Sequence, residues 1–243
     1  LNGLQGVYLT RYTWKMSFQK IVGLLVLFQS ILLFLPLIIL GNAINWPDSL
    51  DYPASQSLPL ILNNLDQVRL GYGIYLFYSI LWVLIGTLIA RVALDREEID
   101  TLFVVAIALI SVSALARSIG IIRWLTASPF LAEIYPTATE VSKETIVFIQ
   151  TVINNWGGAI GEILGVSLFT SGWLVAVSLI ILRSNYLPRI LGWFGLIVSV
   201  ILSSPVIELF GMSASIFIST VSIHLWLFLA GLIILFKKPK ENY

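Results

Sequence analysis

The first long apolar run of the chain lies between residues 21 and 40 and reads IVGLLVLFQSILLFLPLIIL. Only Gln29, Ser30 and Pro36 interrupt it. As an α-helix this run would be about 30 Å long, which is the thickness of the hydrocarbon core of a bilayer. The apolar core of a signal peptide is shorter, so we expect a retained membrane span.

Five further runs satisfy the same length criterion, at about residues 70–90, 102–125, 160–182, 190–210 and 215–236. The composition agrees, because 58% of the 243 residues are apolar and only 11% are charged, whereas roughly 25% are charged in globular proteins. The sequence therefore predicts an all-α polytopic membrane bundle of six transmembrane helices, with residues 1–243 forming a single integral-membrane domain.

The remaining totals exclude several functional classes. A formal net charge of +1, without a basic domain, leaves no electrostatic footprint for nucleic acid. The absence of cysteine excludes disulfides, thiolate nucleophiles and cysteine-ligated metal centres. A single histidine, His224, cannot form a multi-histidine metal site within one chain. We therefore predict no metal site and no catalytic residue, and the sequence identifies no cofactor.

Lysine and arginine in the short connections predict the orientation in the membrane. Six spans place both termini on one side. If that side is the cytoplasm, four basic residues lie outside, namely Arg69, Arg117, Arg123 and Lys143. Ten lie inside, namely Arg11, Lys15, Lys20, Arg91, Arg96, Arg183, Arg189, Lys237, Lys238 and Lys240. We therefore expect a protein of the cytoplasmic (inner) membrane with both termini cytoplasmic.

The two long connections fall on the outer side in this orientation. The first contains SLPLILNNLDQV at residues 57–68, which we expect to lie at the membrane interface. In the second, Thr137 and Glu140 form a capping-box pattern that predicts the start of an amphipathic extracytoplasmic helix. Continued without interruption to Leu182, this helix would be about 68 Å long. We therefore expect a break or bend near Gly157-Gly158.

Three glycines at every fourth residue open the fourth span, namely Gly157, Gly161 and Gly165. Such a strip allows a second helix backbone to approach closely. It predicts either tight packing within the chain or a homodimer interface.

Polar residues map by depth to the outer half of the membrane. Arg117 lies about 12 Å before the outer end of its span, and His224 about 14 Å inside its own. Because a lipid-facing charge costs several kcal/mol, these side chains should face the bundle interior, water or an anion. The sequence predicts an outward-facing polar cavity whose binding residues are Arg117, Arg123, Glu162, Glu208 and His224, with Gln150, Asn154 and Asn155 above them.

Each member also has a purely structural interpretation. Arg117 could form an ion pair with Glu162 or Glu208 that fixes the helix register. Arg123 and Glu208 could extend to the lipid headgroups. His224, one turn from Thr220, could serve only helix packing, and the two asparagines could only solvate a helix end.

Two short stretches carry a resemblance to a known family. They are NYLPRILGWFG at residues 185–195 and GEILG at residues 161–165, the latter preceding a tryptophan-bearing helix. The chain resembles the bacterial membrane-protein family called domain of unknown function 4386 over roughly residues 16–238. The resemblance implies a membrane protein of six or seven helices, and it implies no activity and no site residues.

Three functional hypotheses follow. The first is binding or transport of a small anionic or lipid-like ligand, with Arg117 and Arg123 holding its anionic group. The second is an accessory or assembly subunit of a larger membrane complex, in which the eight tryptophans and the glycine strip form protein contacts. The third is a lipid-modifying intramembrane enzyme that uses Glu162, Glu208 or His224 as a base.

Overall fold

The structure, a computed structural model, describes residues 18–94, 100–184 and 186–237. Within these ranges every regular element is helical. The α-helices are α1 (Phe18–Ile44), α2 (Ala54–Asn63), α3 (Leu65–Leu94), α4 (Thr101–Ile122), α5 (Ala127–Ile134), α6 (Glu140–Gly158), α7 (Thr170–Ser184), α8 (Arg189–Ser203) and α9 (Ile216–Phe236). A π-helix (Ala159–Phe169) joins α6 to α7, and short 3₁₀ turns lie at Asp48–Asp51, Tyr135–Thr137 and Ser204–Phe210.

Six helical segments in the described ranges are long and apolar enough to cross a membrane. They are Phe18–Ile44, Leu65–Leu94, Thr101–Thr137, Glu140–Ser184, Arg189–Phe210 and Phe217–Phe236. The all-α polytopic bundle predicted from the sequence is therefore confirmed. Among the basic residues used to predict the orientation, Arg11, Lys15, Arg96, Lys238 and Lys240 lie outside the described residues.

The outer surface of the bundle is apolar. On α8, the exposed side chains of Ile190, Trp193, Ile197 and Val200 follow one another along one helix face, and each is 58–76% exposed. A water-soluble monomer rarely exposes a contiguous apolar surface of this kind. The exposed surface therefore fits contact with lipid.

The spans pack in a ring. Each span contacts the next along the chain, and α9 closes the ring against α1, where a Cβ on Gly23 would stand 2.7 Å from the Leu235 backbone nitrogen. Three tryptophans on α3, α7 and α9 fill the centre, and their rings meet edge to face at centroid distances of 5.6 and 5.9 Å. These are Trp82, Trp173 and Trp226, all fully buried.

One end of the bundle is covered by α2, α5 and α6, and we call it the capped end. Its own apolar core includes Leu58 and Ile61 of α2 and Leu131 of α5. The stretch 57–68, expected at the membrane interface, divides between α2 and the start of α3. Its apolar side chains Leu58 and Ile61 are buried, because α5 and α6 cover the apolar face of α2. Its position relative to the membrane stays a prediction.

The helix does not break at Gly157-Gly158, where the sequence predicts a break or bend. The helix runs without interruption over the 45 residues from Glu140 to Ser184 and changes from α to π geometry after Gly158. A Cβ added to Gly157 would stand only 2.7 Å from Cδ of the Arg123 side chain. The glycines therefore serve close packing here and do not end the helix.

The start of α6 differs from the predicted capping box. Thr139 is the N-cap, and its hydroxyl accepts a hydrogen bond from the Ser142 backbone N–H. Thr137 belongs instead to the preceding 3₁₀ turn, where its hydroxyl donates to the Ile134 carbonyl. The turn at Tyr135-Pro136 thus moves the cap by two residues.

The glycine strip packs against α4 of the same chain. Gly161 faces Gly120, where a Cβ added to Gly120 would stand 2.6 Å from the Gly161 Cα. Gly165 faces the backbone of Arg117 at a similarly short distance. At the pair Gly120 and Gly161 the two backbones can approach this closely because neither residue carries a side chain.

We predict that Gly120→Ala destabilises the protein by about 1–3 kcal/mol, because an added methyl group must push the π-helix away from α4. Gly73→Ala is the matched control, since nothing lies within 4 Å of a Cβ at Gly73 and alanine favours the helix. Thermal unfolding in one detergent measures both variants. Equal melting temperatures for the two would contradict the close packing described here.

Candidate functional site

Arg117 lies on the inner face of α4 and is only 4% exposed. Its Nη2 donates a hydrogen bond of 3.0 Å to the Thr170 hydroxyl, which stands where the π-helix ends. Ser113, one turn earlier on α4, bonds to the same hydroxyl at 2.8 Å and donates to the Gly165 carbonyl at 2.7 Å. Arg117 thus joins a small network between α4 and the fourth span.

The guanidinium of Arg117 is incompletely satisfied. Its Nε is buried without a hydrogen-bond acceptor. In the described ranges, no carboxylate oxygen lies within 4 Å of a guanidinium nitrogen of Arg117, the distance that defines an ion pair. The guanidinium carbon lies 4.9 Å from the centroid of the Trp82 ring, and this cation–π contact offsets part of the desolvation cost. The predicted ion pair of Arg117 with Glu162 or Glu208 is therefore wrong.

Arg123 is the second buried arginine, 7% exposed, and it has more partners. Its Nη1 donates to the Gly120 carbonyl at 2.6 Å and its Nε to Asn154 Oδ1 at 3.2 Å. Its Nη2 lies 3.9 Å from a carboxylate oxygen of Glu162. Because Gly157 makes room for its side chain, Arg123 folds back into the protein, and the suggestion that it extends to the headgroups is wrong.

A cavity opens beside the two arginines at the capped end. The space between its walls, including open solvent at its mouth, is about 360 Å³, and the centre of a water molecule can occupy about 30 Å³ of it. Its lining combines charged groups with aromatic rings, among them Tyr72 and Trp124, which stack at a centroid distance of 4.9 Å. The lining residues are Trp46, Leu50, Tyr72, Tyr75, Arg117, Gly120, Ile121, Arg123, Trp124, Gly161, Glu162 and Val166.

His224 stands apart from the cavity lining. Its Nε2 lies 2.7 Å from the Tyr78 hydroxyl, and its Nδ1 lies 2.7 Å from the Thr220 carbonyl. A carbonyl can only accept, so Nδ1 carries the proton in the neutral ring and Nε2 accepts from Tyr78. Both ring nitrogens are thereby occupied, and the histidine ties α9 to α3.

The remaining predicted residues divide into two groups. Asn154 contacts Arg123, and Glu208 is half-buried in the 3₁₀ turn that packs on the π-helix, where its charge acts on Glu162. Gln150 is buried but donates to Ser128 and so joins α6 to α5, while Asn155 is exposed. The structure thus brings Arg117, Arg123 and Glu162 into one cavity and places Gln150, Asn155 and His224 outside it.

The sequence reasoning missed the aromatic half of the site. Tyr72, Tyr75 and Tyr78 recur at every third residue of α3, and Trp82 follows one turn later. This spacing places them along one helix face, a signal that was available in the sequence. No group of three or more histidine, aspartate or glutamate side chains in the described ranges could hold a metal ion.

The fold and the cavity define a multi-pass helical membrane protein with a buried, arginine-bearing cavity. The family described as Domain of unknown function (DUF4386) matches residues 21–234, so the chain belongs to that family, as its glycine and proline motifs indicated. Comparison with curated proteins and with solved structures gave no match.

We predict that Tyr78→Phe destabilises the protein by about 1–3 kcal/mol, because it leaves the buried Nε2 of His224 without a donor. Tyr72→Phe is the matched control on the same helix. The Tyr72 hydroxyl is buried without a partner in the described protein, so its removal should leave stability unchanged or raise it. Melting temperatures measured in one detergent test the contrast, and a Tyr78→Phe variant as stable as Tyr72→Phe would contradict it.

Proposed function

We propose that the protein binds a small anionic or lipid-like ligand whose anionic group meets Arg117 in the cavity. The supporting observation is the incomplete pairing of this buried guanidinium. A guanidinium has five N–H donors. Those of Arg117 make one hydrogen bond to the described residues, to the Thr170 hydroxyl, and the Tyr78 hydroxyl is a second oxygen nearby. A carboxylate or phosphate matches the remaining donors in geometry and in charge.

The charges that line the cavity support an anion. Two arginines face one carboxylate, that of Glu162. Arg123 lies beside this carboxylate, and Arg117 is not paired with it. One anionic group would therefore balance the lining, and a low-dielectric site strengthens that attraction.

The aromatic lining supports an amphipathic ligand. Tyr72, Tyr75 and Trp124 provide flat apolar walls next to the guanidinium groups, which favours an organic anion over a bare inorganic ion. The centre of a water molecule can occupy about 30 Å³ of the cavity, far below the roughly 300–1,000 Å³ of ligand pockets. A ligand of this kind therefore requires that the walls of the cavity move apart.

Two irregular helical segments border the site. The π-helix carries Glu162 and Gly161, and the 3₁₀ turn Ser204–Phe210 that packs on it begins with Ser204-Pro205. Segments of π-helix occur frequently at functional sites, and interrupted helices surround the binding sites of many transporters. These features support movement of this wall during binding or transport.

We also propose that the capped end faces outward from the cytoplasmic membrane. The support is the distribution of lysine and arginine between the connections. In that orientation both termini are cytoplasmic, and the cavity takes its ligand from the outer side.

The orientation can be tested with single cysteines, because the native chain has none. Thr137 is exposed at the capped end and Thr101 is exposed at the opposite end. We predict that a membrane-impermeant maleimide added to intact cells labels Thr137→Cys, and that it labels Thr101→Cys only after the membrane is permeabilised. The reverse pattern would place the cavity on the cytoplasmic side.

The anion proposal predicts opposite effects of Arg117→Met on binding and on stability. We expect at least a tenfold loss of affinity for butyrate, propyl phosphate or dihexanoyl phosphatidylglycerol, whichever the wild type binds, because the charged partner is gone. Without ligand, we expect a melting temperature equal to or above that of the wild type, since an incompletely paired buried charge has been removed.

Arg69→Met is the matched control, because Arg69 is an exposed arginine whose contact with Glu133 spans 3.4 Å. It should leave both readouts unchanged. Titration calorimetry and thermal unfolding of the full chain in nanodiscs measure both. A variant Arg117→Met that is destabilised and still binds these anions as the wild type does would make Arg117 a structural residue.

Several contacts within the chain weaken the accessory-subunit and intramembrane-enzyme hypotheses. The glycine strip contacts α4 of the same chain, and of the tryptophans that were assigned to protein contacts, Trp82, Trp173 and Trp226 are fully buried. The accessory-subunit and homodimer hypotheses stay predictions, and the tryptophans available for such contacts in the described residues include the exposed Trp156 and Trp193. For an intramembrane enzyme, His224 is occupied at both nitrogens, which leaves Glu162 and Glu208 as the candidate bases.

A further inference from the structure

The cavity is polarised along its depth. Arg117 is 4% exposed, whereas the side chain of Glu162 is 30% exposed. The carboxylate therefore stands nearer the mouth than the guanidinium does. Positive charge in the interior and negative charge towards the mouth give the site two unlike ends.

Further negative charge surrounds Glu162. Asp51 is exposed and directly follows Leu50, which lines the cavity, and Glu208 lies on the 3₁₀ turn that packs on the π-helix. The charges of both carboxylates act on that of Glu162. Arg123 lies 3.9 Å from Glu162, and no described basic residue forms an ion pair with Asp51 or Glu208. These two carboxylates therefore add negative charge around Glu162 from outside the cavity lining.

Two aromatic rings line the same cavity as Glu162. Trp46 and Tyr75 both line the cavity and are half-buried, and their rings meet edge to face at a centroid distance of 6.3 Å. In the described residues neither ring contacts a cation. Aromatic faces beside carboxylates are the usual surroundings of a bound ammonium group.

We infer that the ligand is a zwitterion, with its anionic group on Arg117 and an ammonium group between Glu162 and the rings of Trp46 and Tyr75. This inference rests on the proposed anion binding and adds the second charge. The small cavity requires that a short linker joins the two groups. An ω-amino acid and the headgroup of an ethanolamine phospholipid share this chemistry.

Isosteric pairs of probes isolate the contribution of the ammonium group. β-Alanine is compared with butyrate, and phosphoethanolamine with propyl phosphate, so that each pair differs by an ammonium in place of a methyl group. Titration calorimetry uses the full chain in nanodiscs of phosphatidylglycerol. We expect the zwitterion of at least one pair to bind at least tenfold more tightly than its isostere.

Glu162→Gln should remove this preference while the isosteric anions bind at least as tightly as before, because the variant also releases Arg123. Glu133→Gln is the matched control, since Glu133 is an exposed carboxylate outside the cavity. Glu133→Gln should leave the preference for the zwitterion over its isostere unchanged. A preference that survives Glu162→Gln would overturn the assignment of the ammonium site.

Native mass spectrometry distinguishes the two sources of the zwitterion. The protein is released from nanodiscs that contain equal amounts of phosphatidylethanolamine and phosphatidylglycerol. One retained ethanolamine lipid that Glu162→Gln loses identifies a lipid headgroup, whereas preference for the soluble zwitterions without lipid retention identifies a free solute.

Two results would overturn the inference, and they differ in what they imply for the proposed anion binding. If each isosteric anion binds as tightly as its zwitterion and the ethanolamine lipid is not preferred, the ligand is a simple anion and the anion proposal stands. If no probe binds in a manner that depends on Arg117, both fail.

Discussion

A guanidinium buried at membrane depth with one hydrogen bond constrains the arrangement of the surrounding helices. Arg117 can stay inside the bundle because Thr170 accepts from Nη2 and the Trp82 ring faces the cation. These contacts leave Nε without an acceptor. An unpaired buried cation is costly, and we attribute its presence to the ligand that the cavity is proposed to bind.

The close approach of α4 to the fourth span builds this site. Gly161 and Gly165 let the π-helix pack on the backbone of α4, and Gly157 leaves the space into which the Arg123 side chain folds. At the end of the π-helix, the Thr170 hydroxyl lies 2.9 Å from the Gly165 carbonyl, to which Ser113 donates. The same helix change thus orients the partner of Arg117 and presents Glu162 to the cavity.

Hydropathy was sufficient to predict the six spans, and a charge within an apolar run was sufficient to identify Arg117. The position of a residue along its predicted span gives its depth in the membrane. It does not give the direction in which the side chain points around the helix axis. The sequence therefore placed His224 in a polar cluster, whereas the structure bonds it to Tyr78. For the same reason, Thr170 and Trp82 were not foreseen as partners of the arginine. The π-helix has no sequence signature that separates it from a glycine-bearing α-helix.

The most direct test of the account is native mass spectrometry of the protein released gently from its own membrane, compared with the Arg117→Met variant. We predict that the wild type carries a bound small molecule above the 27.0 kDa of the chain, and that the variant has lost it. The same bare mass for both proteins, or a bound molecule that the variant retains, would contradict a ligand held by Arg117.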